Sequence, residues 1–282
     1  MRYQSRTREK ELFLKRVKIY AASGAAILLF IGFFSFIFHF PLFTVQNVSV
    51  SGNSSVSSAT IISAVDAELL RHGGLSGWLG LTNIWSWGGS AQVSGAALKF
   101  MPGLSGLEIE RNFFSRRVVV KVSERPKTLL WCFTASGSCY WTDQSGRAFS
   151  RAVSTSSNAS AATSSTSFSL TSIASSTSPE VLDSSRPNIP LLSTTLPAAQ
   201  YKNLLAVAAF LEKLGFSRPV LYLDNLSYEE VYFKTLDNKK IYFSLLFDPS
   251  DDFGAVQSLL KDPAWKNVQY VDLRIQGRIY YK

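Results

Sequence analysis

The feature that most constrains this chain is a run from Tyr20 to Phe40 that contains no charged side chain. Its roughly 21 residues would form a helix about 32 Å long, which matches the hydrocarbon core of a bilayer. No second apolar run of that length follows in the sequence. We therefore expect one transmembrane helix over residues 20–40 and a fold built almost entirely outside the bilayer.

The segment before this run is strongly basic and predicts its orientation. Against Glu9 and Glu11, it carries seven basic residues: Arg2, Arg6, Arg8, Lys10, Lys15, Arg16 and Lys18. Because basic flanks stay on the cytoplasmic side, residues 1–19 are predicted to be a cytoplasmic tail and the remainder extracytoplasmic. A cleaved signal peptide is the alternative, but the apolar run is long for one and lacks an A-x-A site.

The overall basic charge does not indicate a nucleic-acid partner. The chain has a formal net charge of +9, and the tail supplies more than half of it. The rest of the sequence has no basic stripe interleaved with aromatic residues, which nucleic-acid binding would require. We read the charge mainly as a topology signal with some attraction to anionic lipid.

Two cysteines, Cys132 and Cys139, flank a turn-like segment between two strand-like ones. They could face each other across a hairpin and form a disulfide in an oxidising compartment, or remain two free thiols. With His39 and His72 as the only histidines and no second cysteine pair, we expect no metal site.

Hydrophobic periodicity predicts a compact α+β unit after the span. Residues 44–52 alternate as a strand, and Ile61, Val65 and Leu69 mark one face of a helix. A Gly- and Trp-rich loop leads to a second helix over about 91–101, which Pro102 ends. Strands over 104–111 and 116–124 complete the order strand, helix, helix, strand, strand near Pro126.

The rest of the chain, residues 127–282, reads as a β-rich domain with an antiparallel sheet and two helices. A Ser/Thr-rich stretch interrupts it, and we expect a disordered insertion over about 150–186 because so little apolar surface is available there. The helices are predicted after Pro197 and near Asp251, and the last two strands meet at Gly277.

One motif is typical of a class of enzymes, but the sequence lacks the other elements that this class needs for catalysis. Ser258 and Lys261 fit the S-x-x-K pattern of penicillin-interacting acyl enzymes, but the S-D-N and K-T-G elements that this chemistry needs are missing from the sequence. We therefore expect no enzymatic activity, no catalytic residue, no cofactor and no small-molecule substrate.

Several segments, in order, resemble the bacterial cell-division protein family FtsQ/DivIB. The match near 118–126, ending in Glu-Arg-Pro, is the best single one. The segments lie at residues 43–53, 101–104, 107–112, 118–126, 141–149, 189–192, 270–274 and 277–282. The Gly/Trp-rich loop, the Ser/Thr-rich stretch and the cysteine pair depart from the family pattern.

This resemblance implies a POTRA domain over 43–126 and an FtsQ-type β domain over 127–282. It also implies a non-enzymatic bitopic scaffold of the divisome, in the bacterial cell (inner) membrane at the division septum. Such a scaffold recruits FtsB (DivIC) and FtsL-type proteins, with the septal synthase complex as a further candidate partner, and helps control septal peptidoglycan synthesis.

A strand at the end of the sheet supplies a physical route to such partners, because its unpaired N–H and C=O groups can accept another strand. We expect Arg274 to meet an acidic partner residue, and Ile275, Tyr280 and Tyr281 to serve as apolar anchors. The alternative is that the two tyrosines simply divide between core and surface. The full predicted partner-binding set is Arg274, Ile275, Gly277, Arg278, Tyr280 and Tyr281.

A rival function from another class is a POTRA-type chaperone or secretion module that binds exported polypeptides. It too would use strand addition, so the fold alone does not separate the two functions. A single POTRA-like unit behind a single span argues against it, because such modules usually carry several units or a membrane barrel.

Overall fold

The computed structural model describes residues 3–38, 40–71, 80–88, 90–152 and 178–282. The chain divides into two compact units, Met1–Glu124 and Arg125–Lys282. The expectations that concern His39, His72 and residues 153–177 lie outside the described residues. The architecture is mixed α+β, with one apolar N-terminal helix and a large β-sheet.

Helix α1 runs over Tyr3–Phe38. Within it, the 24 residues Phe13–Phe36 are long and apolar enough to cross a membrane, with a mean hydropathy of 2.0 in their most apolar 18-residue window. This stretch starts before the predicted span of 20–40, because Phe13, Leu14 and Val17 extend the apolar sequence into the basic flank. It is the only such helix among the described residues.

After the 3₁₀ helix Pro41–Phe43, the described part of the first unit continues with three strands, two helices and a second short 3₁₀ helix. Its sheet has the order β1-β3-β2, with β1 parallel and β2 antiparallel to β3. Apolar residues of the two helices pack against the sheet: Ile61 and Val65 of α2 and Val120 of β3 belong to this core, and none of the three is exposed. The elements are β1 Asn47–Ser51, α2 Ser58–Arg71, the 3₁₀ helix Ile84–Trp87, α3 Ser90–Phe100, β2 Leu104–Asn112 and β3 Arg117–Glu124.

The second unit is built on one nine-stranded sheet in the order β12-β11-β10-β9-β8-β7-β4-β5-β6. The strands are β4 Leu129–Phe133, β5 Ser138–Thr142, β6 Ala148–Ala152, β7 Glu180–Asp183, β8 Val220–Leu223, β9 Glu230–Lys234, β10 Lys240–Ser244, β11 Tyr270–Ile275 and β12 Arg278–Tyr281. Helices α4 Ala198–Lys213 and α5 Phe253–Lys261 accompany them.

This sheet is mixed, which corrects the prediction of an antiparallel one. The pairs β4–β7, β7–β8 and β10–β11 are parallel, and the others are antiparallel. Parallel neighbours need a crossover connection, and α4 and α5 supply it for β7–β8 and β10–β11. Alternation along each strand predicts that a residue is in a sheet but says nothing about the direction of its neighbour.

The predicted disordered stretch of 150–186 also extends too far. β6 ends at Ala152, and residues 180–183 form β7 in the middle of the sheet. Asp183 is fully buried there and accepts hydrogen bonds from the indole N–H of Trp131 (3.1 Å) and from Nε of Arg186 (2.9 Å). This buried polar anchor orders a segment whose serine content suggested disorder.

The two helices of the second unit pack on one face of the sheet and form its main core. Leu204 and Leu211 of α4 and Val256 of α5 are completely buried against sheet residues such as Phe243. The rings of Phe210 and Phe243 meet edge to face with centroids 5.6 Å apart. The opposite face carries a different set of side chains and includes the positions considered next.

Candidate partner-binding edge

Strand β12 is an edge strand of the nine-stranded sheet. Its inner side pairs antiparallel with β11, with Tyr280 opposite Asp272 and Tyr281 opposite Val271. Just past the strand, the backbones of Lys282 and Tyr270 exchange N–H···O=C hydrogen bonds of 3.3 and 3.4 Å. Since such bonds alternate along an antiparallel strand, the N–H and C=O groups of residues 279 and 281 point away from β11.

A tight turn sets the position of this edge strand. Ile275 and Arg278 are paired across it, so Gln276 and Gly277 form the loop. Gly277 has φ +69°, a left-handed conformation that glycine adopts without a Cβ penalty. A Cβ added at Gly277 would meet nothing within 4 Å, so the need for glycine there comes from the backbone conformation rather than from packing.

The side chains around this edge divide between core and solvent. Ile279 packs partly against the main core, whereas Ile275, Tyr280 and Tyr281 are 53%, 46% and 59% exposed. Arg278 is exposed as well, and its guanidinium lies 3.5 Å from the hydroxyl of Tyr280. Ile275, Arg278, Tyr280 and Tyr281 therefore offer exposed side chains beside an unpaired strand edge, which is the arrangement that strand addition requires.

Arg274, which we predicted to meet an acidic partner residue, is already paired with carboxylates of its own chain. Its Nε and Nη2 donate to the carboxylate of Asp272 at 2.9 and 2.6 Å, and Nη1 donates to Glu230 at 2.6 Å. The hydrogen bonds from Arg274 hold the pKa of Asp272 below its usual value, and those to Asp272 and Glu230 raise the pKa of Arg274. Arg274 thus ties β9 to β11 within the sheet and is not a free cation for an acidic partner.

Sequence reasoning missed the chemistry of the sheet face opposite α4 and α5. We call this side of the sheet the tyrosine face, because Tyr222, Tyr232 and Tyr242 place a row of rings on three neighbouring strands there. The ring centroids of Tyr222 and Tyr232 are 5.1 Å apart, and those of Tyr232 and Tyr242 are 5.6 Å apart. The signal was present in the sequence as Tyr and Lys at alternate positions of β9 and β10, which places both residue types on one face of the sheet.

The cysteine pair lies on this same face, further along the sheet. Cys132 of β4 and Cys139 of β5 are directly opposite each other and form a disulfide. Both are almost fully buried in a small apolar cluster with Leu130 and Leu182. The bridge joins two strands that are already neighbours, so it secures an existing hairpin and does not connect distant parts of the chain.

The residues of the S-x-x-K motif lie on α5. The hydroxyl of Ser258 donates to the backbone carbonyl of Gly254 at 2.9 Å, one helical turn earlier. Lys261 is exposed at the end of the helix, while Leu259 and Leu260 pack partly against the core. Among the described residues, no three His, Cys, Asp or Glu side chains are grouped so that they could hold a metal ion.

Comparison with known proteins leaves the family open. No protein-family model matches the chain, and a search of curated proteins finds no match either.

Proposed function

We propose that this chain is a bitopic membrane scaffold of the bacterial divisome, of the FtsQ/DivIB type, and that it is not an enzyme. In this proposal its extracytoplasmic part binds FtsB (DivIC) and FtsL-type proteins at the septum and so helps to control septal peptidoglycan synthesis. The observation that carries the proposal is the edge strand β12, whose outward backbone groups are flanked by exposed Ile275, Tyr280 and Tyr281.

Two further features support the same function. The membrane-proximal unit has the element order strand, helix, helix, strand, strand, which is the order expected of a POTRA domain. The apolar stretch of α1 suits a single-pass anchor, with the basic tail on the cytoplasmic side. A scaffold needs such an anchor and a free edge, and neither requires a catalytic group.

Strand addition predicts that affinity depends on the backbone of β12 as well as on its side chains. Tyr281→Pro removes an N–H that points away from β11, and proline is tolerated at such edge positions. We expect this variant to lose at least tenfold in affinity for a co-expressed FtsB-type partner, measured with the full chain in nanodiscs. Tyr281→Ala, which keeps the N–H, should lose less.

Tyr228→Ala is the matched control, because Tyr228 is 69% exposed but lies in the connection between β8 and β9. It should bind the partner like the wild type. Equal affinity of the Tyr281→Pro and wild-type proteins would contradict strand addition at β12. An even envelope distribution of the fluorescently tagged chain, in place of a mid-cell band, would favour the chaperone or secretion function.

A further inference from the structure

The tyrosine face carries two lysines whose placement is unfavourable in the isolated protein. Lys234 of β9 and Lys240 of β10 are directly opposite each other on adjacent strands. Like charges in this arrangement destabilise a sheet. Each ammonium lies above a tyrosine ring, Lys234 at 4.8 Å from the centroid of Tyr222 and Lys240 at 4.7 Å from that of Tyr232.

Three acidic side chains on or beside this face are used elsewhere. Glu230 and Asp272 hold Arg274, as described above. Asp224 accepts hydrogen bonds from the hydroxyls of Ser184 (3.2 Å) and Tyr232 (3.4 Å). Within the part of the chain that the structure describes, neither Lys234 nor Lys240 has an ion pair with a carboxylate.

Arg274, a third cation on this sheet face, differs from the two lysines because carboxylates of its own chain neutralise its charge. Its guanidinium has two carboxylates within 2.6 Å and also lies 5.0 Å from the ring centroid of Tyr242. The two lysines have the aromatic rings without the carboxylates. They are therefore charged groups held in position by aromatic faces, with their counter-charge left to be supplied from outside.

We propose that Lys234 and Lys240, together with the rings of Tyr222, Tyr232 and Tyr242, form a docking site for an acidic peptide segment. The two ammonium groups attract the carboxylates of the peptide. The tyrosine rings offer an apolar surface against which the peptide backbone and the aliphatic part of its side chains can pack. This site goes beyond strand addition at β12 and does not depend on it, because it uses side chains on a sheet face and no free backbone edge.

The spacing favours a peptide. Side chains directly opposite on adjacent strands have Cβ atoms about 4.5–5.5 Å apart. Carboxylates at positions i and i+4 of a helix start from Cβ atoms about 5–6 Å apart, which lets one helical turn reach both ammonium groups. An acidic helix lying on this face would pair both lysines at once and remove their mutual repulsion.

The test uses the full chain in zwitterionic nanodiscs and a fluorescent helical peptide with Glu at i and i+4, together with its Gln counterpart. We expect the wild type to bind the Glu peptide with a salt-sensitive affinity and to bind the Gln peptide at least tenfold more weakly. Lys234→Gln/Lys240→Gln should weaken binding of the Glu peptide at least tenfold. The control Lys261→Gln/Lys266→Gln, which removes two exposed lysines elsewhere, should leave binding unchanged.

Thermal unfolding without peptide distinguishes a purely structural role of Lys234 and Lys240 from a role in docking. The substitutions remove two cation–π contacts as well as a like-charge pair, so the docking proposal expects the Lys234/Lys240 double variant to remain folded and to melt close to the wild-type temperature. Loss of the cooperative thermal transition in the double variant would assign the two lysines a structural role and overturn the proposal. So would Glu-peptide binding that is equal in the wild-type and double-variant proteins, or a lysine-dependent affinity only for anionic vesicles or an anionic polysaccharide.

Discussion

The two faces of the nine-stranded sheet differ in what they contribute to the protein. The face under α4 and α5 is an apolar layer whose central residues, such as Leu221, Ile241 and Phe243, have no exposure. The residues of the tyrosine face alternate with these core residues along each strand. They carry aromatic rings, ammonium groups and ion pairs that stay partly exposed. Since successive residues point to opposite faces, the same strands supply the apolar core on one side and, in our proposal, a docking surface on the other.

Neighbouring residues of β10 allow the most direct test of this comparison. Phe243→Ala removes a fully buried ring that packs on Phe210, and we expect it to lower the free energy of unfolding by about 3–5 kcal/mol. Tyr242→Ala, on the tyrosine face, should cost about 1 kcal/mol, because its ring is partly solvated already. Chemical denaturation of both variants measures the difference, and equal losses would mean that the faces do not divide these roles.

Glu180 gives a second test, because it is a carboxyl placed in a mostly buried position of β7. Burial raises its pKa to about 7, and its Oε1 has no hydrogen-bond partner. The folded protein thus binds a proton more tightly than the unfolded chain, so this group lowers stability as pH rises from about 4.5 through 7. We expect Glu180→Gln to raise stability at pH 8 by about 1–2 kcal/mol, after allowing for partial solvation.

At pH 4, where Glu180 is protonated in both folded and unfolded states, the same substitution should have little effect. Thermal melts of the wild-type and Glu180→Gln proteins across pH 4–8 measure this. A constant difference across that range would show that Glu180 does not titrate in it and that the substitution acts through packing instead.

The smallest expected effect comes from the ion-pair network on the tyrosine face. Arg274→Gln removes the contacts to Asp272 and Glu230, yet exposed ion pairs contribute only about 0–1 kcal/mol each. Because the pKa of Asp272 is held down, its contribution is present at neutral pH and declines as pH falls below about 4 toward the lowered pKa of the folded state. Urea denaturation should show a small difference in stability between the Arg274→Gln and wild-type proteins at pH 7 and a smaller one at pH 3.

The sequence allowed some of these features to be predicted and not others, for physical reasons. The apolar span, the order of elements in the first unit and the last two strands meeting at Gly277 follow from local patterns of period 3.6 or 2 and from turn residues. The parallel pairing of β4, β7 and β8 does not, because it depends on which distant strands meet.

The candidate site shows the same limit at the level of single residues. A local sequence pattern indicates the last turn, and the exposure of Ile275, Tyr280 and Tyr281 is consistent with their position near it. The pairing of Arg274 with Glu230, 44 residues away in the sequence, could not be predicted without knowing that β9 and β11 flank the same strand. The pairing of Lys234 with Lys240 could not be predicted for a similar reason, because the register of β9 and β10 decides which of their residues lie opposite each other.

The position of β7 has a consequence for how the second unit reaches its native state. β4, β5 and β6 form one consecutive set of strands, and β8 to β12 form another, and β7 is the only strand through which the described sheet joins them. Pairing β7 with β4 brings together residues about 50 positions apart, which is a slow step in topologies rich in long-range contacts. Those four residues, Glu180–Asp183, cover one edge of β4 and one edge of β8, and both edges lack a partner strand until β7 pairs with them.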